Sequence, residues 1–327
     1  MRRPLRRLLL CLFLPALCLA AAVAHAGEAD RRIAITIDDL PWQRAGAIPE
    51  PVLAARHAQL MEQLASAGVP VTGFVNEDKL EIDGRVDAAR VAMLRDWLGA
   101  GHELGNHTYS HLDLHTVGLE AYRQDILRGE RVLRPLLAEQ GAAPRWFRHP
   151  YLRAGQNAAE RAALADFLHR HGYRIAPVTV DNSEWIWASA YARVLDGQAV
   201  DRDATLERLR RGYVPYMLNK VDYYDRQSQA LLGYALPQVW LLHANELNAA
   251  TYAGLVAGVQ RRGYRVVTLD EALRDPAYAR GEEGYDGRRG PSWLHRWAMG
   301  AGMPESFHAG EPLVPRWVLD LAGLASE

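Results

Sequence analysis

Short apolar runs alternate with longer segments of helical period along this chain, and this alternation is the feature that most limits its possible folds. The runs have the length of buried strands, and the segments between them have the length of helices. Such a pattern is typical of repeated βα units around a parallel sheet or barrel. The predicted strands are 33–37, 69–75, 102–106, 146–148, 173–178, 239–242 and 264–268.

Glycines mark the ends of the predicted helices. Gly68, Gly172 and Gly263 each stand between a helical segment and the strand that follows it. Glycine is favoured at this position because it adopts the left-handed conformation that ends many helices. The predicted helices are 50–67, 86–100, 119–139, 158–171 and 249–262.

Two regions depart from the βα alternation. Residues 186–234 form a long helical stretch rich in tyrosine, which we interpret as an inserted helical layer or lid. From residue 276 onward the chain is rich in glycine and tryptophan and lacks a periodic pattern that could build a separate core. We therefore predict a barrel domain over 27–275, with the insertion inside it, and a C-terminal extension over 276–327 that packs on the barrel.

The first 26 residues have the features of a secretory signal peptide. They contain four arginines, an apolar stretch over 8–24, and small residues before an expected cleavage after Ala26. The apolar stretch is short for a membrane span, and an uncleaved anchor is the alternative. We expect an exported protein, periplasmic or secreted, without stable membrane insertion after cleavage.

Removal of this leader changes what chemistry the chain can contain. Both cysteines, Cys11 and Cys18, lie in the leader, which excludes thiolate metal ligands and a cysteine nucleophile from the mature protein. The remaining 34 basic and 39 acidic residues give a net charge near −5. No basic patch indicates nucleic acid or anionic lipid as a partner. The oligomeric state stays open.

Polar residues of five separate segments follow predicted strands. Asp38 and Asp39 follow the first strand, and His107 and His111 follow the third. Parallel strands of a βα barrel end on one face, and that face carries the active sites of such barrels. The other three segments are Arg148 to Tyr151, Asp181 to Trp185, and His243.

One carboxylate and two histidines four residues apart form a ligand set used by zinc and related divalent metals. The second aspartate of the pair would then be free to act as a base. The plainer alternatives are an aspartate that caps a helix and histidines on the surface of a helix. His115 continues the four-residue spacing, so the sequence does not choose between the pairs 107/111 and 111/115.

Four further residues could support such a site. Arg148 could hold one aspartate through a bidentate hydrogen bond, or could be a surface arginine. His243 follows a very apolar run and is either a catalytic residue or a core histidine. Asp181 and Glu184 could orient His243, bind substrate, or cap a loop.

Taken in order, these segments resemble the five motifs of the polysaccharide deacetylases of carbohydrate esterase family four. The resemblance extends over about 33–273 and implies an α/β fold, a distorted (β/α) barrel of about seven parallel strands. The helical insertion before the last motif and the C-terminal wrapping tail lie outside the family pattern. The motifs are Thr-Ile-Asp-Asp at 36–39, His-Thr-Tyr-Ser-His at 107–111, Arg-His-Pro-Tyr at 148–151, Asp-Asn-Ser-Glu-Trp at 181–185 and Leu-His at 242–243.

The resemblance also implies residue roles. Asp38 would be the general base and His243 the general acid. Arg148 would pair with the base, and the backbone NH of Tyr151 would bind the oxyanion. The metal, expected to be Zn²⁺ with Co²⁺ or Ni²⁺ as alternatives, would be held by Asp39, His107 and His111.

The fourth motif departs from the family at one position. Glu184 stands before Trp185 where the family usually has aspartate, and its side chain is one methylene longer. Asp181 could therefore share the task of orienting His243. Trp185 is a candidate for substrate contact.

The expected activity is metal-dependent hydrolysis of N-acetyl groups on a polysaccharide or oligosaccharide, which releases acetate. The expected partner is an N-acetylated glycan. One alternative is an O-acetyl esterase or another hydrolase of non-peptide C–N bonds. Another is a catalytically silent glycan-binding protein, although every motif residue needed for the chemistry is present.

Overall fold

The computed structural model describes residues 30–197, 200–280 and 285–327. The signal peptide predicted over 1–26 lies outside these residues. Within them, no helix combines the length and the apolar character that crossing a membrane requires.

Seven parallel strands form one sheet in the order β7-β6-β5-β2-β1-β8, with β9 also paired to β1. All seven correspond to strands predicted from the sequence. A separate antiparallel hairpin, β3 and β4, was not predicted. In chain order the strands are β1 (Arg31–Leu40), β2 (Val71–Val75), β3 (Glu81–Ile82), β4 (Arg85–Val86), β5 (Glu103–Asn106), β6 (Trp146–Phe147), β7 (Arg174–Ile175), β8 (Gln238–His243) and β9 (Tyr264–Val267).

The segment after β7 closes the sheet into a barrel. Val180 forms a parallel bridge with Trp240 of β8. The backbone NH of Val180 donates to the carbonyl of Val239 over 3.0 Å. Because β7 and β8 are the two ends of the strand order, this bridge joins them. The predicted distorted (β/α) barrel is therefore confirmed.

Strand β1 is paired with neighbouring strands along both of its edges. It pairs with β8 along one edge and with β2 and β9 along the other. Its three isoleucines pack in the main core with helices outside the sheet, whereas Ala34 packs with Phe74 and Trp146 in a second cluster. Side chains of a strand alternate between its faces, so Thr36 and Asp38 face the same side as Ala34.

Helices cover the outer side of the strands. Helix α1 matches its predicted bounds and ends at Gly68, which has a left-handed φ of 61°. Helix α1 packs against α9 beside β1. The helices are α1 (Glu50–Ala67), α2 (Ala88–Gly99), α3 (Leu114–Val117), α4 (Leu119–Arg128), α5 (Leu133–Ala138), α6 (Ala158–Arg170), α7 (Glu184–Asp196), α8 (Arg202–Leu232), α9 (Glu246–Gln260), α10 (Leu269–Ala272), α11 (Trp293–Gly300) and α12 (Arg316–Ala322).

The prediction of a single helix over 119–139 is wrong, because the helical segment is interrupted between α4 and α5. Gly129 lies so close to the backbone of Thr108 that a Cβ there would be 2.8 Å from its carbonyl carbon. The carboxylate of Glu77 accepts hydrogen bonds from the backbone NH groups of Val132 and Leu133 at 2.9 and 2.6 Å. These bonds start α5 as a new helix, since an acceptor at a helix N-terminus satisfies NH groups that lack an intrahelical partner.

The predicted helical insertion contains α7 and α8. Helix α7 begins at Glu184, so the fourth motif lies in the first turn of this layer rather than before it. The ring of Trp187 packs against Tyr213 and Tyr216, with centroids 6.0 and 5.3 Å away. This aromatic contact joins the two helices of the insertion.

The C-terminal segment contacts the segments that follow β6 and β7. The backbone NH of Trp293 donates to Val178 over 2.7 Å, and the Trp293 ring stacks with the ring of His149. The guanidinium of Arg296 donates to the carbonyl of Leu152. The domain boundary at residue 276 stays a prediction.

Gly290 tests this packing, because a Cβ at that position would overlap the carbonyl oxygen of Tyr151. We expect Gly290→Ala to lower the free energy of unfolding by about 1–3 kcal/mol, since backbone cannot move aside as a side chain can. Urea denaturation measures this. The control is Gly99→Ala in α2, where a Cβ meets no atom within 4 Å; alanine should be neutral or slightly stabilising there. Equal stability of the two variants would contradict the packing.

Candidate active site

The two aspartates lie at a bulge near the end of β1. The strand was predicted to end at residue 37, but it continues to Leu40, and its register with β2 shifts after Ile37. Asp39 has a φ of 70°, in the left-handed region. Successive side chains of a regular strand point in opposite directions, and a bulge changes that alternation. Both carboxylates are buried; Asp38 Oδ2 lies 3.7 Å from Nε2 of His107, and Asp39 Oδ1 lies 3.8 Å from Nε2 of His111.

The two histidines of the second motif lie on a loop after β5 and not on a helix. Thr108 and His111 have φ values of 67° and 53°. The side chain of Asn106 holds this loop, because its Oδ1 accepts from the NH of Thr108 at 2.7 Å while its Nδ2 donates to Ile126. The alternative of surface histidines on one helical face is therefore wrong.

Asp39, His107 and His111 form a cluster in which one ligand atom of each lies within 4.8 Å of the others. Nδ1 of His107 is 2.9 Å from the backbone oxygen of Arg148. That bond places the proton on Nδ1 and leaves the lone pair of Nε2 facing the cluster.

Burial lowers the pKa of both His107 and His111, which favours neutral rings. A carboxylate and two neutral imidazoles suit a divalent cation such as Zn²⁺. The cluster can therefore hold such a cation.

His115 lies outside this cluster. Its Nδ1 is 3.1 Å from the carbonyl oxygen of Arg288, and its Nε2 is 3.2 Å from the backbone nitrogen of Gly155. Both ring nitrogens therefore have backbone partners. The structure brings the pair 107/111 to Asp39 and gives His115 a position in the packing of loops.

Arg148 lies in the barrel interior and contacts the first motif. It does not form the bidentate pair that we predicted: one nitrogen is 3.4 Å from Asp38 Oδ2, and the other donates to Thr36 Oγ1 at 2.9 Å. Thr36 and Asp38 lie on the same face of β1, so the two nitrogens of the guanidinium can bond to different residues.

Asp38 has an unusual charge environment for a carboxylate. Burial raises its pKa to about 6, although the neighbouring Arg148 and His243 oppose the shift. Its Oδ1 accepts no hydrogen bond from any described residue. A carboxylate with a raised pKa and a free oxygen is suited to accept a proton.

His243 is held by Glu184. Its Nδ1 is 2.5 Å from Glu184 Oε2, and the other carboxylate oxygen accepts from Asn245 and Asn248. Burial lowers the pKa of His243, but the charge and hydrogen bond of Glu184, with Asp39 and Asp38, outweigh it and raise the pKa to about 9. The imidazole is therefore protonated at neutral pH.

The remaining predicted residues surround this centre. Asp181 accepts from the backbone of Asn182 at 2.8 Å rather than bonding to His243, and burial raises its pKa to about 6. Tyr151 is exposed, has a φ of 55°, and places its ring 4.6 Å from the ring of His111. Trp185 is also exposed, on the first turn of α7.

Lys79 is a residue of this site that the sequence reasoning missed. Its Nζ lies 2.9 Å from Asp39 Oδ1. Burial raises the pKa of Asp39, but Lys79 and the histidines outweigh burial and hold it well below its usual range. Polar residues from Asn76 to Lys79 follow the second predicted strand. Lys79 therefore meets the same criterion as the other segments, a polar side chain just after a strand.

The candidate metal site lies at the C-terminal ends of the strands, where (β/α) barrels carry their active sites. Residues 25–170 match the family model described as polysaccharide deacetylase. Over this segment the chain is similar to the polysaccharide deacetylase family.

Three curated relatives share part of this chain. A peptidoglycan-N-acetylglucosamine deacetylase of Bacillus cereus is 36% identical over 90 residues, which are 28% of this chain and 30% of the relative. A chitin deacetylase of Arthroderma benhamiae is 22% identical over 244 residues, 75% of this chain and 52% of the relative. A chitooligosaccharide deacetylase of Sinorhizobium fredii is 29% identical over 129 residues, 39% and 51% of the two. The chain thus spans about half or less of the length of these relatives.

The solved structures that match this chain share little sequence with it. A family 4 carbohydrate esterase pseudoenzyme from Bacillus anthracis has a TM-score of 0.49 at 17% identity, covering 75% of this chain and 66% of that one. A family 4 carbohydrate esterase from Streptomyces lividans, in complex with acetate, has a TM-score of 0.45 at 16% identity, covering 75% and 97%.

Lys79 should oppose metal binding, because its ammonium group lies on the oxygen of Asp39 that faces His111. We expect Lys79→Met to raise the affinity for Zn²⁺ by at least about tenfold, since a repelling charge is removed from the ligand. Isothermal titration of metal-depleted protein measures this. Arg85→Met removes an exposed cation of β4 and should change nothing. Weaker binding by Lys79→Met would contradict competition and indicate that Lys79 orients Asp39.

Proposed function

We propose that this protein is an exported, metal-dependent N-deacetylase of glycans. The observation that carries the proposal is the pairing of Asp38 and His243 as register partners on β1 and β8, beside the cluster of Asp39, His107 and His111. One partner is a buried carboxylate with a free oxygen, and the other is an imidazole that carries a proton. A hydrolase of amides needs such a base and acid on either side of one carbonyl.

A divalent cation, most simply Zn²⁺, would polarise the acetyl carbonyl and lower the pKa of water at the cluster. Asp38 accepts the proton of the attacking water through its free oxygen. Arg148 holds the other oxygen and so fixes the orientation of the carboxylate. The raised pKa of about 6 makes Asp38 a stronger base than an exposed aspartate while leaving it ionised at neutral pH.

The oxyanion of the tetrahedral intermediate requires hydrogen-bond donors that are already in place. Tyr151 provides its backbone NH from a left-handed turn beside the ring of His111. One such donor is typically worth about 3 kcal/mol of transition-state stabilisation. The same turn leaves the Tyr151 ring exposed at the rim of the site, where it can contact the glycan.

His243 supplies the proton that the leaving amine needs. An amide nitrogen leaves poorly as an anion, so protonation must accompany breakage of the C–N bond. Glu184 binds Nδ1 and so leaves Nε2 as the donating atom. The extra methylene of glutamate is accommodated by the two asparagines that hold its other oxygen.

The first test measures acetate release from N-acetylglucosamine oligomers and peptidoglycan by the purified protein. We expect release that chelation abolishes and Zn²⁺ restores, and a loss of at least about a hundredfold in Asp38→Asn, since a general base of this kind is typically worth that much. Bound metal without release from any of these glycans would contradict the proposal. Binding of the glycan without turnover would favour the silent binding protein.

An O-acetyl ester would depend less on His243, because an alcohol leaves more easily than an amine. The variant His243→Gln, assayed on O-acetylated and N-acetylated sugars, separates the two activities. A larger loss on the N-acetyl substrate is the expected result.

The pH dependence tests the role of Glu184. Activity should fall as pH rises through about 9, where His243 loses its proton. In Glu184→Gln the carboxylate that raises this pKa is gone while burial still lowers it, so the alkaline limb should move to lower pH by at least about one unit. The control is Glu103→Gln at the start of β5, the opposite end of that strand from the site. An unmoved limb in Glu184→Gln would contradict the assignment of His243 as the acid.

A further inference from the structure

A cavity of about 780 Å³ lies between helix α6 and residues 273–279. Ile175 and Pro177 line it from β7 and the segment that follows this strand. Its described lining includes no residue of the metal cluster, and neither Asp38 nor His243. A cavity of this volume is in the range of pockets that hold a small organic ligand.

Most of the lining is apolar. Helix α6 contributes one face on which Ala162 and Ala165 are exposed. The ring of Trp293 adds an aromatic surface, and the hydroxyl of Tyr278 is already bonded to the carbonyl of Pro237. Covering exposed apolar surface is favourable, so this part of the cavity suits the apolar body of a ligand.

His149 is a buried polar residue of the lining without a partner. It is 1% exposed, and neither of its ring nitrogens has a hydrogen-bond partner among the described residues. Burial, with the charges of Arg296 and Arg148, lowers its pKa to about 3, so the ring is neutral and has one NH donor. Most buried polar groups are bonded, and this one can bond to a polar group of a ligand. The other histidine of the lining, His169, is exposed on the last turn of α6.

Arg161 brings a buried positive charge to the same cavity. Its side chain is only 8% exposed. One terminal nitrogen, Nη2, donates to Asp286 over 3.0 Å, whereas the buried Nη1 has no hydrogen-bond partner in the described part of the chain. A buried donor of a charged group is costly to leave unbonded, so an acceptor in the cavity would be bound strongly.

The other arginines and the aspartate of the described lining have partners. Arg174 and Arg274 both donate to Asp270, over 2.6 and 3.1 Å. Asp275 accepts from the hydroxyl of Tyr234 over 2.6 Å. The unpaired group is therefore a cation, which favours a carboxylate, since a charge-assisted hydrogen bond is about twice as strong as a neutral one.

We propose that this cavity is a second binding site, for a monocarboxylate with an apolar body. The carboxylate bonds to Nη1 of Arg161, and His149 offers a further donor. The body covers the alanines of α6 and the ring of Trp293. An unbranched hydrocarbon chain and an aromatic ring both satisfy this chemistry. The inference does not rest on the proposed function, because it concerns binding at a place that the catalytic residues do not line.

Titration calorimetry with decanoate and 2-naphthoate tests the site. Decanol is the uncharged analogue, and acetate is the carboxylate without an apolar body. A chelator keeps the acids from binding a metal at Asp39, His107 and His111. We expect saturable binding of at least one acid, decanol to bind at least about tenfold more weakly than decanoate, and acetate not to bind. The acid that binds more tightly identifies the shape of the body.

Variants of α6 locate the bound acid. Arg161→Met should weaken its binding at least about tenfold and leave decanol within about twofold, because only the cation is removed. Arg170→Met, which removes an exposed cation paired with Asp166, should change neither. Ala162→Trp should abolish binding by filling the cavity. Ala159→Trp, at an exposed position of α6 outside the described lining, should leave binding intact.

Three results would overturn the inference: no saturable binding of either acid, equal binding of decanol and decanoate, or binding that survives Ala162→Trp. Thermal unfolding shows which variants fold. If Arg161→Met does not fold, decanoate against decanol in the parent protein tests the carboxylate, and Ala162→Trp against Ala159→Trp tests the location. A protein that binds the acid and releases no acetate from glycans would keep this site and lose the proposed activity.

Discussion

Pairing of β1 along both edges is the constraint on which the rest of the structure depends. The strand has neighbours on each side, so its register fixes β2, β8 and β9 at once. A shift of one residue would turn Asp38 out of the barrel and away from Arg148. The same pairing that buries the isoleucines therefore also sets the position of Asp38 relative to His243 on β8.

Asp38 and His243 are register partners on β1 and β8, and their pKa values are raised by different causes. Burial dominates at Asp38 and raises its pKa to about 6, whereas Glu184 dominates at His243 and raises its pKa to about 9. Burial alone would favour the neutral form of both groups, because it raises the pKa of a carboxyl and lowers the pKa of an imidazole. One buried glutamate reverses this for the histidine, so an ionised Asp38 lies beside a protonated His243 between about pH 6 and pH 9.

The periodic pattern of the sequence was enough to predict the seven strands, the bounds of α1 and the residues at strand ends, because burial on both faces leaves continuous apolar runs. It could not show the bulge at Asp39, the left-handed turns at Thr108 and His111, or the break at Gly129. Those features depend on contacts between residues distant in sequence, such as Glu77 with Leu133. Lys79 is different, since its position after a strand was visible and only its contact with Asp39 required the structure.

The C-terminal segment has a consequence for the folding of the protein. Leu152, beside the turn that presents the Tyr151 NH, receives its bond from Arg296, a residue 144 positions later. Contacts of such sequence separation close late in folding, because the intervening chain must first be ordered. Strand β1 pairs with β8 and β9 across longer separations still, so the barrel and the turn at Tyr151 are both completed by segments from Gln238 onward.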